Sequence, residues 1–323
     1  MAWPSCRPSA ALLFLAALSA AAAEPLPQLR ADARELTVSG LSSGGYMAVQ
    51  VQVAHSARVK GVAAIAAGPY YCAQGGLFNA YFHCMTPGAW TPLPPVQALR
   101  QQVLLLGQGR QVDPPSHLAT AKVWLFSGTR DRTVLPEVVR ALKSFYEAFG
   151  AAPVLVADKA AGHGMATEDA GGACEATAPP YLNDCDYDAA GALLQHLLGP
   201  LKPRGASGGR LVEFEQKPFG MDDAGYAYVP KACEGGGCRV HVAFHGCRQP
   251  AQAFAQGAGY NRWAESNRLI VLYPQVRASF WPYNPRGCWD WWGYTGALYH
   301  TREGVQVKAV MRMVERLGEP PAR

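Results

Sequence analysis

Apolar positions in this chain gather into short unbroken runs, with helical patterns between them. Residues 59–68, VKGVAAIAAG, are apolar almost throughout and stop at Gly-Pro. The stretches 122–131, KVWLFSGTRD, and 152–164, APVLVADKAAGHG, begin in the same way before turning polar. Runs of this kind read as strands buried on both faces of a sheet. A second set comes after residue 209: RLVEFEQKPF, GYAYVPKAC, RVHVAFHG and RLIVLYPQV. Helical patterns are LPEVVRALKSFYEAFGA, with Pro136 in its first turn, and YDAAGALLQHLLG (187–199), stopped by Gly199-Pro200. Two more lie at about 251–267 and, amphipathic, at about 302–317. Residues 69–120 form an irregular excursion rich in Pro and Gly, in which PVQALRQQVLL has helical spacing. Buried strands alternating with helices argue an α/β fold with a mainly parallel sheet. The Gly/Ser-containing residues 200–209 read as a flexible linker. Neither set of strands suffices for a covered sheet, so one domain over residues 24–323 is expected.

Candidate chemistry begins just ahead of the first run, in ELTVSGLSSGGYMAVQVQVAHSA (35–57). A β-favouring Leu36-Thr37-Val38 meets Gly40-Leu41-Ser42-Ser43-Gly44, and a helical pattern starts at Gly45. Strand, sharp turn and helix around G-x-S-x-G make a nucleophile elbow with Ser42 at its centre. The serine must hold a strained backbone with its hydroxyl presented, and a Cβ two residues to either side would crowd the turn. The N–H of Ser43 is then expected to meet the developing oxyanion. Gly205-Ala206-Ser207-Gly208-Gly209 fits the same pattern, but it comes after no strand and leads into LVEFEQ instead of a helix. Context separates the two.

Composition places this chemistry in an exported protein. Residues 1–23 read as a secretory signal: Arg7 in a short n-region, the apolar core AALLFLAALSAAAA, and Ala21-Ala22-Ala23 before Glu24. No later run reaches the length of a membrane span, so the expected location is extracellular, or periplasmic. Loss of Cys6 with the signal leaves an even number of cysteines, which in an exported chain implies a disulfide framework. They fall into sequence neighbours, Cys72–Cys84, Cys174–Cys185, Cys233–Cys238 and Cys247–Cys288. Each bridge is expected to contribute about 2–4 kcal/mol, least for the shortest loop. No cysteine or histidine pair has zinc-ligand spacing, and Asp184, Asp186 and Asp188 lack the Gly and terminal Glu of a calcium loop; no metal is expected. The formal net charge is +5, +4 without Arg7, and no long basic run occurs, which argues against a nucleic-acid partner. A monomer is expected.

A serine hydrolase needs a base and a group to orient it, carried at the ends of neighbouring strands. Asp131 comes after the run KVWLF in SGTRDRTV, and His163 after VLVA in DKAAGHGM. The order Ser42, Asp131, His163 is the one expected of an α/β-hydrolase. His55 and His117 fall within or beside helical patterns, His241 lies inside a strand, and His300 is the best rival base.

One part is out of place. The second oxyanion donor of an α/β-hydrolase belongs to a loop ahead of the nucleophile, where this chain has only about a dozen residues after the signal. The matching feature, His245-Gly246-Cys247 after the strand Val240-His241-Val242-Ala243-Phe244, lies far downstream. The C-terminal strands and last helix would then supply the half of the sheet that usually precedes the elbow, a circular permutation. In that order GLSSGGYMA, GTRDRTV, AGHGM, FHGC and CWDWWGY resemble the single-domain, circularly permuted polyhydroxybutyrate depolymerases over nearly the whole mature chain. The resemblance implies a circularly permuted α/β-hydrolase with Ser42 as nucleophile, Asp131 and His163 as its partners, and an oxyanion hole from the N–H groups of Ser43 and Cys247. It also implies hydrolysis of poly[(R)-3-hydroxybutyrate] and its oligomers without a cofactor.

Many bacterial members add a separate polymer-binding domain, and this sequence reaches Arg323 without one. Adsorption to a polyester is therefore expected from the catalytic domain itself. Eight aromatic residues crowd positions 280–299, in a chain with 10% aromatics. Some should pack over the sheet edge and some should form an apolar surface, with Trp291 and Trp292 as candidate substrate contacts. Two other readings stay open: a feruloyl or acetyl esterase acting on plant polysaccharide, and a secreted module that binds polymer without catalysis.

Overall fold

The apolar runs do form strands, and side-chain alternation shows why. On β2 (Val59–Ile65) Val62 and Ala64 face one core while Ala63 and Ile65 face another. The computed structural model describes residue 1 and residues 23–221 and 224–321; the expected signal segment lies almost wholly outside them. Ahead of β2 come β1 (Asp32–Leu41) and α1 (Ser43–Ala54). After it come α2 (Leu77–Cys84), α3 (Val96–Gln108), β3 (Lys122–Phe126), α4 (Pro136–Glu147) and β4 (Val154–Val156). Three short strands, β5 (Met165–Thr167), β6 (Gly172–Ala173) and β7 (Leu182–Asp184), make a small separate sheet before α5 (Ala189–Leu198). The C-terminal part supplies β8 (Arg210–Glu215), β9 (Ala224–Val229), β10 (Arg239–Phe244), α6 (Ala251–Gly257), α7 (Tyr260–Asn267), β11 (Leu269–Tyr273) and α8 (Val305–Gly318).

The main sheet has eight strands in the order β4-β3-β2-β1-β10-β11-β9-β8. It is parallel from β4 through β11, while β9 pairs antiparallel with both β11 and β8. The elbow strand β1 therefore lies mid-sheet, between β2 and a strand from the far end of the chain. Parallel strands must be covered on both faces. Helices α1, α3, α4 and α8 pack into the core on one face, and α5, α6 and α7 into the core on the other. Helix α1 is buried along its whole length, which explains why its sequence carries no charge and why Gln50 and Gln52 find hydrogen-bond partners inside. This is the α/β-hydrolase-like architecture expected. The two ends of the described chain meet, since the N–H groups of Leu29 and Ala31 both donate to the carbonyl of Leu317 at 3.0 Å.

Cys72–Cys84, Cys174–Cys185, Cys233–Cys238 and Cys247–Cys288 are bonded. Three local departures have physical causes. The irregular excursion contains an extra helix, α2, within the loop that Cys72–Cys84 closes. The helix at 251–267 divides at Gly259, whose φ of 90° no continuous helix accommodates. Residues 200–209 are bound to α7: Lys202 N–H donates to Asn267 Oδ1 at 2.8 Å, Gly205 N–H to Arg262 O at 2.9 Å, and Gly209 N–H to Glu265 Oε2 at 2.9 Å. Among the described residues no helix is long and apolar enough to cross a membrane.

Candidate active site

Ser42 stands between β1 and α1 with φ 56° and ψ −123°, a conformation that costs a non-glycine residue of order 1–3 kcal/mol. The turn is held from outside: Ser42 N–H donates to Ile65 O at 2.8 Å, and Tyr46 N–H donates to Ser42 O at 3.0 Å. Gly44 lets α1 start this close to the sheet, because a Cβ there would lie 2.4 Å from the carbonyl oxygens of Phe244 and His245. The N-terminus of α1 thus rests on the loop after β10.

Asp131 and His163 come from the ends of β3 and β4. Their loops touch backbone to backbone, with Thr129 N–H donating to Lys159 O at 2.8 Å and Arg130 N–H to Ala161 O at 3.1 Å. Gly128 permits that approach, since a Cβ would sit 2.1 Å from Ala161 O. His163 Nδ1 lies 2.8 Å from Asp131 Oδ2. The other carboxylate oxygen, Oδ1, accepts from Thr133 N–H at 2.8 Å and Val134 N–H at 3.0 Å, so the aspartate has no rotational freedom. The His163 main chain is fixed as well, donating to Thr177 Oγ1 at 3.0 Å. Behind it, Asn183 Nδ2 donates to the carbonyls of Cys174 and Ala176, both at 2.7 Å. Ser42, Asp131 and His163 are all nearly buried, at 7%, 1% and 6% exposure. With Nδ1 engaged by Asp131, the Nε2 of His163 is the nitrogen left for a substrate or nucleophile.

The N–H of Ser43 opens α1 and has no helical carbonyl to bond. Cys247 lies just after β10, the direct neighbour of β1, and its N–H makes no hydrogen bond among the described residues. A covalent and hydrogen-bonded chain joins the two: Cys247 is bridged to Cys288, and the next residue, Trp289, donates its N–H to Ser43 Oγ at 3.3 Å. Asp290 then shapes the loop from Trp291 to Thr295. Its buried carboxylate accepts from the N–H groups of Trp292, Gly293, Tyr294 and Thr295 and from the Thr295 hydroxyl, at 2.6–3.2 Å. Burial still pushes its carboxyl above the ordinary range.

Trp291 and Trp292 line an apolar groove of about 480 Å³ together with Cys247, Tyr283 and one side of α2. Both are mostly buried, and Trp291 stacks on Tyr46 with ring centroids 4.0 Å apart. Trp289 is fully buried, whereas Phe280 and Trp281 project into solvent at 89% and 88% exposure. Sequence patterning misses the facing wall, where Leu77, Phe78, Tyr81 and Phe82 of α2 are all exposed. Their i, i+3, i+4 spacing is visible in LFNAYFHC, but Pro and Gly on either side mask it. Of the rival residues, His241 is sealed in the sheet between Thr37 and Ser39, and His300 is buried against Tyr71, ring centroids 4.2 Å apart. Asp188 caps α5 by accepting from Gly191 N–H at 2.7 Å. Among the described residues no cluster of His, Cys, Asp or Glu is placed to hold a metal ion.

Residues 225–317 match the family model described as Esterase PHB depolymerase. The chain is 42% identical over 325 residues to a poly(3-hydroxybutyrate) depolymerase of Delftia acidovorans, covering 95% of this chain but 64% of that protein's length. It is 34% identical over 338 residues to a polyhydroxybutyrate depolymerase of Talaromyces funiculosus, with 96% of this chain and 97% of that protein covered. Among solved structures it resembles the PHB depolymerase from Penicillium funiculosum, with a TM-score of 0.84 and 32% identity over 92% of this chain and all of that one. A serine-to-alanine form of a PHB depolymerase, complexed with an R3HB trimer, matches equally well. With sequence agreement running from end to end of the fungal protein, and the fold agreeing with it, this chain belongs to the polyhydroxybutyrate depolymerase family.

Proposed function

We propose that the protein is an exported serine esterase that cleaves ester bonds of poly[(R)-3-hydroxybutyrate] and its oligomers through an acyl-enzyme on Ser42. The observation that carries this reading is the 2.8 Å His163–Asp131 pair, carried after β3 and β4, at the same edge of the parallel sheet as a serine held at positive φ after β1. His163 Nε2 takes the Ser42 proton as Oγ attacks the ester carbonyl, and Asp131 holds the imidazole with its proton on Nδ1. The oxyanion is met by the N–H groups of Ser43 and Cys247, a contribution of about 2.7–4 kcal/mol per donor in comparable hydrolases. His163 then returns the proton to the leaving 3-hydroxyl, and water, deprotonated by the same imidazole, releases the acid and frees Ser42. No step calls for a cofactor.

The strand order, with the elbow strand first in the chain and the C-terminal strands completing the sheet, supports a circularly permuted arrangement. The meeting of Leu29 and Ala31 with Leu317 supports it too. For a solid or oligomeric polyester, the apolar groove offers Trp291 and Trp292 from one wall and α2 from the other. Exposed rings on α2, at Tyr283 and at Phe280–Trp281 suit adsorption to an apolar surface.

A clearing assay on polyhydroxybutyrate suspension, run beside feruloyl and acetyl esters, tests the substrate class. Clearing without turnover of the feruloyl or acetyl polysaccharide esters is the expected result; the reverse preference would assign the protein to polysaccharide esterases. Ser42→Ala should be inactive yet folded, and a fluorophosphonate should label Ser42 in the natural protein. Activity retained by the alanine variant would refute the serine mechanism.

A further inference from the structure

The N–H of Cys247 can stabilise an oxyanion only if its peptide plane is held, and the Gly246 side of that peptide is loosely packed. A Cβ on Gly246 would meet nothing closer than Leu41 at 3.4 Å, an ordinary contact. Beside the Cys247–Cys288 bridge, hydrogen bonds hold the chain on both sides of Gly246. Its N–H donates to Gln249 Oε1 at 2.8 Å, and Gln249 Nε2 in turn donates to Pro180 O and Tyr181 O at 3.0 and 3.1 Å. Its carbonyl oxygen lies 2.8 Å from Nδ1 of His245 and also accepts from Gln249 N–H at a longer 3.3 Å. That carbonyl and the Cys247 N–H belong to one planar trans peptide and point in opposite directions. Fixing the oxygen fixes the direction of the donor.

The proton arrangement of His245 is set by its partners. Val276 N–H donates to His245 Nε2 at 3.1 Å, so Nε2 carries the lone pair and the ring proton is on Nδ1, where it donates to the Gly246 carbonyl. The ring is 2% exposed and burial lowers its pKa to about 4, which keeps it neutral in this tautomer near pH 7. A hydrogen bond accepted by a peptide oxygen also polarises the N–H at the other end of the same amide. We propose that His245 is a positioning residue for ester hydrolysis: its Nδ1–H, set by Val276, aims and strengthens the oxyanion donor at Cys247. Gln249 adds a longer bond from its N–H to the same carbonyl, while its side chain steadies the preceding peptide and ties it to Pro180 and Tyr181. That segment also anchors Met165, two residues beyond His163, through Met165 N–H to Tyr181 O at 2.9 Å.

This role for His245 rests on the serine-esterase reading, and the experiment separates the two. Ser42→Ala, His245→Leu and His245→Asn are compared with the natural protein for kcat and KM on p-nitrophenyl butyrate, for Ki of a phenylboronic acid that forms a tetrahedral adduct on serine, and for Tm. His245→Leu should lower kcat by about tenfold to a hundredfold, short of the about 10²–10³ for outright loss of a donor, with KM changed less than about threefold. The boronate Ki should rise by the same factor as kcat/KM falls, which loss of stability alone would not produce. His245→Asn, which can still donate to the Gly246 carbonyl, should recover kcat to within about fivefold. A folded His245→Leu with natural kcat and boronate affinity would overturn the positioning role while an inactive Ser42→Ala left the esterase reading intact. An active Ser42→Ala would overturn both. If His245→Leu does not fold, His245→Asn decides alone: a loss of about a hundredfold in kcat sinks the proposal.

Discussion

Replacing Asp131 by asparagine isolates the orienting role of the carboxylate with little change of shape. Oδ1 of Asp131 accepts from two backbone N–H groups, those of Thr133 and Val134, and Oδ2 faces one atom, His163 Nδ1. An asparagine has one oxygen and one NH2. With the NH2 on the Thr133–Val134 side, two buried donors lose their acceptor, at about 1–3 kcal/mol each. With the NH2 on the His163 side, the conflict is relieved by moving the imidazole proton from Nδ1 to Nε2. The asparagine therefore keeps its oxygen on the turn, and His163 presents Nε2–H to Ser42 instead of a lone pair. That ring cannot take the serine proton. The expected loss in kcat is about 10³–10⁴, the size seen when a Ser-His-Asp protease receives the wrong tautomer in this way, or roughly 4–5.5 kcal/mol at 1.36 kcal/mol per tenfold. Stability should fall by only about 1–2 kcal/mol, because a charged acceptor becomes a neutral one with the same number of hydrogen bonds. Steady-state turnover of p-nitrophenyl butyrate and Tm by circular dichroism measure the two effects. Asp131→Asn with kcat within tenfold of the natural protein and unchanged Tm would refute the assignment of Asp131 as the orienting group.

Burial of histidines and exposure of aromatic rings lead to two further outcomes. His241 is sealed between the Thr37 and Ser39 hydroxyls, and burial lowers its pKa from 6.5 to about 3. Between those values the unfolded chain binds the proton and the folded one does not, so stability falls as pH drops below about 6.5, by up to roughly 1.4 kcal/mol per pH unit. His245, His55 and His300, each lowered to about 4 by burial, act with the same sign. His241→Gln should show a shallower decline of Tm from pH 6.5 to 4, and superimposable slopes would count against this account. For adsorption, Phe78→Ser combined with Phe82→Ser removes two exposed rings from the α2 wall. The pair should weaken depletion onto polyhydroxybutyrate film several-fold while kcat on p-nitrophenyl butyrate stays within about twofold; equal binding by both proteins would move adsorption elsewhere.

Much of the candidate site is legible because its residues announce themselves locally. Ser42, Asp131 and His163 each stand within a few residues of the end of an apolar run, and buried parallel strands deliver their C-terminal loops to the same edge of the sheet. The aromatic cluster at 280–299 is legible as a cluster but not in its division of labour. Trp289 is wholly buried and Trp281 almost wholly exposed, although they stand eight positions apart in similar Pro/Gly-rich sequence. Asp290 separates them: its carboxylate gathers successive backbone N–H groups and folds that part of the loop inward against Gln50 of α1 and Gln306 of α8. The α2 wall is hidden because a helix of eight residues between turn formers carries too short a period to stand out.

The sequence by itself determined the strands of the main sheet, most helices, the elbow and the pairing of neighbouring cysteines, but not the small sheet of β5–β7. These rest on alternation, helical period, glycine at a strained turn and short loop closure, all written within a few tens of residues. Only the tertiary structure decided that Phe244 lies beside Gly40, that Gly44 rests on the Phe244 and His245 carbonyls, and that the His245 ring meets the carbonyl of the peptide carrying the Cys247 N–H. These contacts link the two ends of the chain or depend on which ring nitrogen meets which backbone group. Strand order and burial fix such contacts, and neither leaves a local pattern to read.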